Sequence, residues 1–218
     1  MSDYKGFVTE IIRDFKNNYY TDKVKYSIPL MHNEVVVGRL RPVPTEFKED
    51  ALNDVHLQTK WRNLHKDTFF VNAFEATEDR TLSWLETTYF YNDDRIIFII
   101  EDIKGKPIGH FGYENFNYDL KKAEYGRLMR GDISQEENIN RINLIDLAQI
   151  SILNWGFNTL KLNIINGSLF ANNWMVRRFH DKCGFEVTAS TKVLKSEQLV
   201  DVIEIELVKE NFKLLNKN

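Results

Sequence analysis

Apolar positions in this chain recur at two periods, and the alternation between them predicts an ordered series of helices and strands. In residues 3–18, Phe7, Ile11, Ile12 and Phe15 share one face at helical spacing. This predicts an amphipathic helix outside the main fold, either covering a domain surface or making a dimer contact. Residues 19–33 read as an irregular connector. Residues 34–43 read as a strand closed at Pro42, which has no N–H to give a ladder. Thr45, followed by Glu46, Glu49 and Asp50, has the form of a helix start, and that helix runs to about Trp61-Arg62-Asn63. A further helix over 77–89 opens at Thr77-Glu78-Asp79 and turns Leu82 and Leu85 inward.

Residues 95–102 form a nearly unbroken apolar run, the pattern of a strand covered on both faces. Lys104-Gly105-Lys106-Pro107 marks a turn, after which 108–115 return antiparallel and 123–129 add the next strand. Leu144, Leu147, Ala148, Ile150 and Leu153 then give a helix over 143–157, with a strand over 160–165 after it. Asn173 caps a helix with Met175, Phe179 and Cys183 on one face, and Gly184 stops it. Residues 187–194 and 199–208 read as a closing hairpin, and 211–218 as a frayed tail. No repeat or linker interrupts the series. The expected layout is a helical extension at 1–34, one domain at 35–210 and the tail.

With 218 residues, 43% hydrophobic and 28% charged, the chain has the make-up of an ordinary soluble domain with one good core. A net charge of −3 gives no general attraction to nucleic acid or anionic membrane. One cysteine excludes a disulfide framework and a cysteine-based zinc site. No apolar run approaches the roughly 20 residues of a membrane span, and the N-terminus lacks a signal-peptide core. The expectation is a cytoplasmic protein with no metal, no nucleic-acid partner and no membrane partner, and with a homodimer open. Asn166-Gly167-Ser168 and Arg130-Gly131-Asp132 read as chance matches to glycosylation and adhesion tripeptides.

The segment from Asn173 through Val176 and His180 to Gly184-Phe185 resembles the fourth motif of the GNAT acetyltransferases, with His180 at the position the family usually gives to Tyr. Leu40-Arg41-Pro42, Trp61-Arg62-Asn63, Thr77-Glu78 and Trp84-Leu85 resemble the branch that contains ribosomal-protein N-terminal and nucleotide-amino-sugar acetyltransferases. The resemblance spans about residues 35–208. It implies an α+β GNAT (acyl-CoA N-acyltransferase) fold, with a mixed, mostly antiparallel central sheet flanked by helices. It also implies acetyl-CoA as co-substrate and a small-molecule primary amine as acceptor. A nucleotide-linked amino sugar is the preferred acceptor, with a protein N-terminus or a non-catalytic acyl-CoA-binding role as the alternatives.

Acetyl transfer needs a phosphate cradle, a held thioester, a base for the amine and an acid for the thiolate. The resemblance puts the cradle between the strand ending at Met129 and the helix near Asn143, on Arg130, Gly131 and Arg141. That loop departs from the family's glycine pattern and carries Glu136 and Glu137. Leu128 and Met129 would hold the pantetheine arm by backbone bonds, and Asn173 by its side chain. His180 is the candidate acid, as a cation, or else has no proton role. Glu124 is the favoured base, with Glu101, Glu114 and His110 also in view. Alternation sets Glu124, Gly126 and Leu128 on one strand face. Trp61, Arg62, Asn63 and Tyr113 are the acceptor-site candidates. The alternative makes Trp61 a core residue, with Arg62 and Asn63 holding a loop. Cys183 reads as a small buried hydrophobe.

Overall fold

The strongest apolar run forms the centre of the sheet. In a computed structural model, which describes residues 2–46, 49–68, 74–131, 135–195 and 197–212, Ile96–Asp102 is a strand with its first six residues buried. It is β3 of eight strands. The others are β1 (Ile28–His32), β2 (Val35–Pro42), β4 (Pro107–Asn117), β5 (Lys122–Arg130), β6 (Ile164–Phe170), β7 (Glu186–Lys195) and β8 (Gln198–Val208). They lie in the order β1-β2-β3-β4-β5-β6-β8-β7. Among the described strands only β5 and β6 pair in parallel, and the described chain between them contains the helix α4 (Gln135–Asn158), as a parallel crossover requires.

Two apolar layers cover the sheet. On one face Ile96, Phe98 and Ile100 meet Ile145, Ala148 and Ile152 of α4, and with them Val8 and Ile12 of α1 (Ser2–Asn18). On the other, Ile97 and Ile99 meet Val55 and Trp61 of α2 (Glu49–Leu64), together with Leu85 and Tyr89. The latter two lie in the single π-helical turn Leu85–Tyr89 that continues α3 (Glu78–Trp84). Beyond β6, α5 (Trp174–Cys183) begins at the cap Asn173 and ends at Gly184, whose φ of 97° is the left-handed stop the sequence predicts. A side chain there would also strike the Asn211 carbonyl, at 2.3 Å.

Several expectations are corrected. The first helix is not outside the fold, because Val8 and Ile12 are fully buried in the main core. Its Lys16 is buried as well and donates to the Tyr89 and Asn92 carbonyls at 2.8 and 2.7 Å. The connector over 19–33 contains β1, which pairs with β2, so a boundary at 34/35 would divide a hairpin. Thr45 does not cap α2, which starts at Glu49. It binds α1 instead, through its N–H to the Lys16 carbonyl (3.1 Å) and its hydroxyl to Asn17 Oδ1 (2.7 Å). Helix α4 starts eight residues earlier than position 143. Strand β6 starts later than expected, because Leu160 and Leu162 are buried in a turn around left-handed Lys161 (φ 58°). Of the expected tail, residues 213–218 lie outside the described structure, and Phe212 packs on the core.

Candidate active site

A single extra residue in β5 creates the site. His110 of β4 pairs with Met129 and Gly112 with Gly126, so two steps on β4 face three steps on β5. The surplus is taken up at Arg127, whose φ of 59° is left-handed. A bulge of this kind reverses side-chain alternation beyond it. Before the bulge, Ala123 and Tyr125 point into the α4 core; beyond it Leu128 packs on that core and Met129 joins the opposite layer. Glu124 and Leu128 therefore do not share a face as strict alternation predicts.

The parallel pairing of β5 and β6 is also short. It covers Lys122–Glu124 against Ile164–Asn166 and no further. Past it the strands part around a cleft of about 200 Å³, lined by Gly126, Arg127 and Leu128 on one side and Gly167, Ser168 and Leu169 on the other. From α5, His180 and Val176 line the same cleft, as does Asn173, whose Oδ1 accepts the Val176 N–H at 3.4 Å. His180 is 6% exposed, lies beside the rings of Phe185 and Tyr125, and has no hydrogen-bond partner on either nitrogen. Burial lowers its pKa to about 4. The ring is therefore neutral at pH 7, which corrects the expected cation. A neutral imidazole still carries one N–H to offer.

A second cavity, of about 440 Å³, lies on the α2 side of the sheet. Arg62, Arg80 and Arg127 line it, with Gln58, Thr81, Trp84, Phe74, Met129 and His110. Its described lining contains no carboxylate. Arg127 lines both cavities. Its guanidinium donates to both oxygens of Glu114 at 2.8 Å and lies 4.9 Å from the centre of the Trp84 ring. Arg62 lies over Phe74 at 4.5 Å, and burial, then the charge of Arg127, lowers its pKa.

The wall carrying Arg62 is fixed by buried charge. Arg41 of β2 grips Asp54 of α2 with two bonds of 2.7 Å and donates Nε to Glu101 at 2.6 Å, while Arg39 takes the other Glu101 oxygen at 2.6 Å. Satisfied pairing is what makes such burial tolerable. It also removes Glu101 from the candidates for base.

The remaining sequence candidates divide between cavity and scaffold. Trp61 is 2% exposed and stacks on His110 at 5.8 Å, so it supports the cavity floor from within the core. Asn63 exchanges two bonds with the Ala76 backbone, at 2.9 and 2.7 Å, and holds that segment in place. Tyr113 is no acceptor residue. It is 1% exposed on the α4 face, where its hydroxyl donates to the Ile152 carbonyl at 3.0 Å. Glu124 lines neither cavity and accepts from Asn115 at 2.7 Å. Arg130 ends β5, its carbonyl 2.8 Å from His65 Nε2, and the Gly131 N–H donates to the Ile108 carbonyl at 2.8 Å. Arg141 lies within α4 and not in a loop, and its side chain is outside the described structure. Sequence reasoning missed Arg127 and Arg80. Gly126 within the strand is a sign of a bulge, and the helix start at Thr77 places Arg80 in its first turn, but neither shows that the two arginines face one cavity.

These two cavities meet at a bulge beside a splayed pair of parallel strands and share Arg127. A family model described as "Acetyltransferase (GNAT) domain" matches residues 51–211. The chain belongs to the GNAT acetyltransferase family. It is thus an acetyl-CoA-dependent N-acetyltransferase, the activity that defines the family. No curated protein matches the sequence. Among solved structures, spermidine N-acetyltransferase from Vibrio cholerae in complex with CoA and spermine is similar, with a TM-score of 0.62 at 18% identity over 79% of this chain and 95% of that one. A GCN5-related N-acetyltransferase from Brucella melitensis has a TM-score of 0.61 at 17% identity, covering 85% and 83%. A probable GNAT-family acetyltransferase from Chromobacterium violaceum has 0.62 at 14%, covering 84% and 87%. At these identities the likeness is one of fold. Among the described residues no group of side chains could hold a metal, and no helix is long and apolar enough to cross a membrane.

Proposed function

We propose that this N-acetyltransferase acts on a primary amine that also carries an anionic group, a nucleotide-linked amino sugar being the acceptor that fits best. One observation carries the reading: Arg62, Arg80 and Arg127 converge on a cavity whose described lining has no carboxylate. Guanidinium groups bind phosphate and carboxylate through paired N–H bonds, which suits a diphosphate-linked acceptor. Spermine, bound by the Vibrio cholerae relative, is a polycation. Two like charges about 6 Å apart cost about 3 kcal/mol at an effective dielectric near 20, so Arg62 and Arg80, with the charge of Arg127 partly offset by Glu114, oppose such a ligand. The same cavity disfavours the basic N-terminal tail of a ribosomal protein.

In this reading acetyl-CoA lies in the cleft between β5 and β6. The backbone of Leu128 and Met129 takes its pantetheine arm, Asn173 adds a side-chain bond, and Arg130, Gly131 and Arg141 lie toward the pyrophosphate. The thioester reaches the second cavity at Arg127, and the amine attacks it directly. His180 offers its N–H to the departing sulfur from the neutral ring. Glu124, bonded to Asn115 and outside both cavities, does not act as the base.

Thiol release from acetyl-CoA on adding amines tests the proposal. UDP- and dTDP-linked amino sugars should give saturable turnover, and spermidine little. Preference for spermidine, or thiol release that no amine stimulates, would overturn it.

A further inference from the structure

Among the described residues lining the acceptor cavity, Gln58 and His110 have buried polar nitrogens without a hydrogen-bond partner, and of the two only His110 is titratable. His110 is 3% exposed, and neither ring nitrogen has a hydrogen-bond partner. A buried imidazole without partners costs stability unless a ligand or water completes it. Around it, α2 presents Trp61 in a stack at 5.8 Å together with Arg62, the turn after α2 presents His65, and β5 presents Met129 in direct register and Arg127. From β3 the facing neighbour is apolar Ile99. No carboxylate from these elements faces the ring within the cavity lining.

We infer that His110 is the catalytic base of the acceptor cavity, taking the proton from the amine as it attacks the thioester. The amine lone pair forms the N–C bond and the carbonyl π pair moves to oxygen. One amine proton passes to the free imidazole nitrogen. The oxygen pair then returns, the C–S bond breaks, and its electrons leave on sulfur, which accepts the N–H hydrogen bond of neutral His180 and takes its proton from solvent. His110 later returns its proton to solvent. The products are the amide and free CoA thiol, with no other co-reactant.

The arginines give this base its selectivity. Burial first, then Arg127, His65 and Arg62, lower the His110 pKa to about 3. The same charges disfavour an ammonium ion in the cavity, so the amine enters neutral and nucleophilic. An acceptor anion on Arg62 and Arg127 would offset their charge, which raises the basicity of His110 when the correct acceptor is bound. The inference rests on amine acetylation in this cavity and not on which amine is used.

His110→Gln and His110→Ala test it, each assayed with whatever amine the unaltered enzyme acetylates. Acetyl-CoA affinity, read by calorimetry, should stay within about threefold, while kcat falls roughly 100-fold or more. Added imidazole or other small bases should restore turnover to His110→Ala in proportion to their basicity, an effect that a packing defect cannot produce. If the alanine variant fails to fold, His110→Gln decides. A kcat within about threefold of the original, or an alanine variant deaf to added bases, would overturn the assignment. Failure of anionic amines as substrates would overturn only the acceptor proposal.

Discussion

Arg127 binds Glu114 through Nε and Nη2, both at 2.8 Å, and does so from a left-handed bulge residue. The pair ties the junction of the two cavities to β4, and Arg95 at 3.7 Å adds a second cation to the same carboxylate. A fork of this kind orients a guanidinium in a way that a lysine ammonium cannot.

Arg127→Lys should therefore lower kcat/KM for an anionic amine about tenfold or more while acetyl-CoA binding changes little. Steady-state kinetics beside a calorimetric titration would separate the two. Equal losses for charged and uncharged amines would show that Arg127 shapes the junction without reading the acceptor's charge.

Tyr113 offers a contrast. Its hydroxyl is committed to the Ile152 carbonyl, and Gly156 of α4 leaves room for it, since a β-carbon there would lie 2.5 Å from the hydroxyl. Tyr113→Phe should cost about 1 kcal/mol of stability in a urea titration and leave the acceptor KM unchanged. A raised KM would place the residue back in the acceptor site.

The buried histidines make stability fall as pH falls. In the folded chain His180 titrates at about 4 and His110 at about 3, against about 6.5 when unfolded. Below pH 6.5 the unfolded chain takes up protons that the folded chain refuses, so stability falls as pH falls. Each ring contributes about 1.4 kcal/mol per pH unit until its folded pKa is reached. His180→Phe should thus flatten the dependence between pH 4 and 6 by about that amount. An unchanged slope in urea midpoints measured across that range would mean that the ring is solvated.

Asn173 caps α5 from the edge of the donor cleft. Asn173→Ala should reduce stability by about 1 kcal/mol and weaken acetyl-CoA binding several-fold. A lower Tm with unaltered donor affinity would reduce it to a cap alone.

Much of the fold is legible because it follows from local rules. The buried run of β3, the Thr77 cap with its bond to the Arg80 N–H, and the Asn173-to-Gly184 helix all appear where propensity and capping put them. The misses are of another kind. Burial of Lys16 depends on carbonyls more than seventy residues away, and the single strand β1 shows itself only once β2 is there to pair. The site was harder still. Gly126 is the sign of a bulge in this strand, but the left-handed φ falls on Arg127, and strict alternation reverses the faces of β5 beyond it. Asn173 and His180, placed by the family resemblance, line the cleft between β5 and β6, whereas Tyr113, chosen as an aromatic that could stack on an acceptor, and Glu124, chosen because family bases often lie on its strand, line neither cavity.

The most direct test compares kcat/KM for two acceptors that differ only in charge: an amino sugar linked to a nucleotide diphosphate, and the same sugar as a neutral glycoside. Three convergent arginines predict a preference of about 100-fold or more for the nucleotide-linked form, declining as salt screens the charges. Equal efficiency for the two, or a preference for the neutral glycoside, would contradict an anion-reading acceptor cavity.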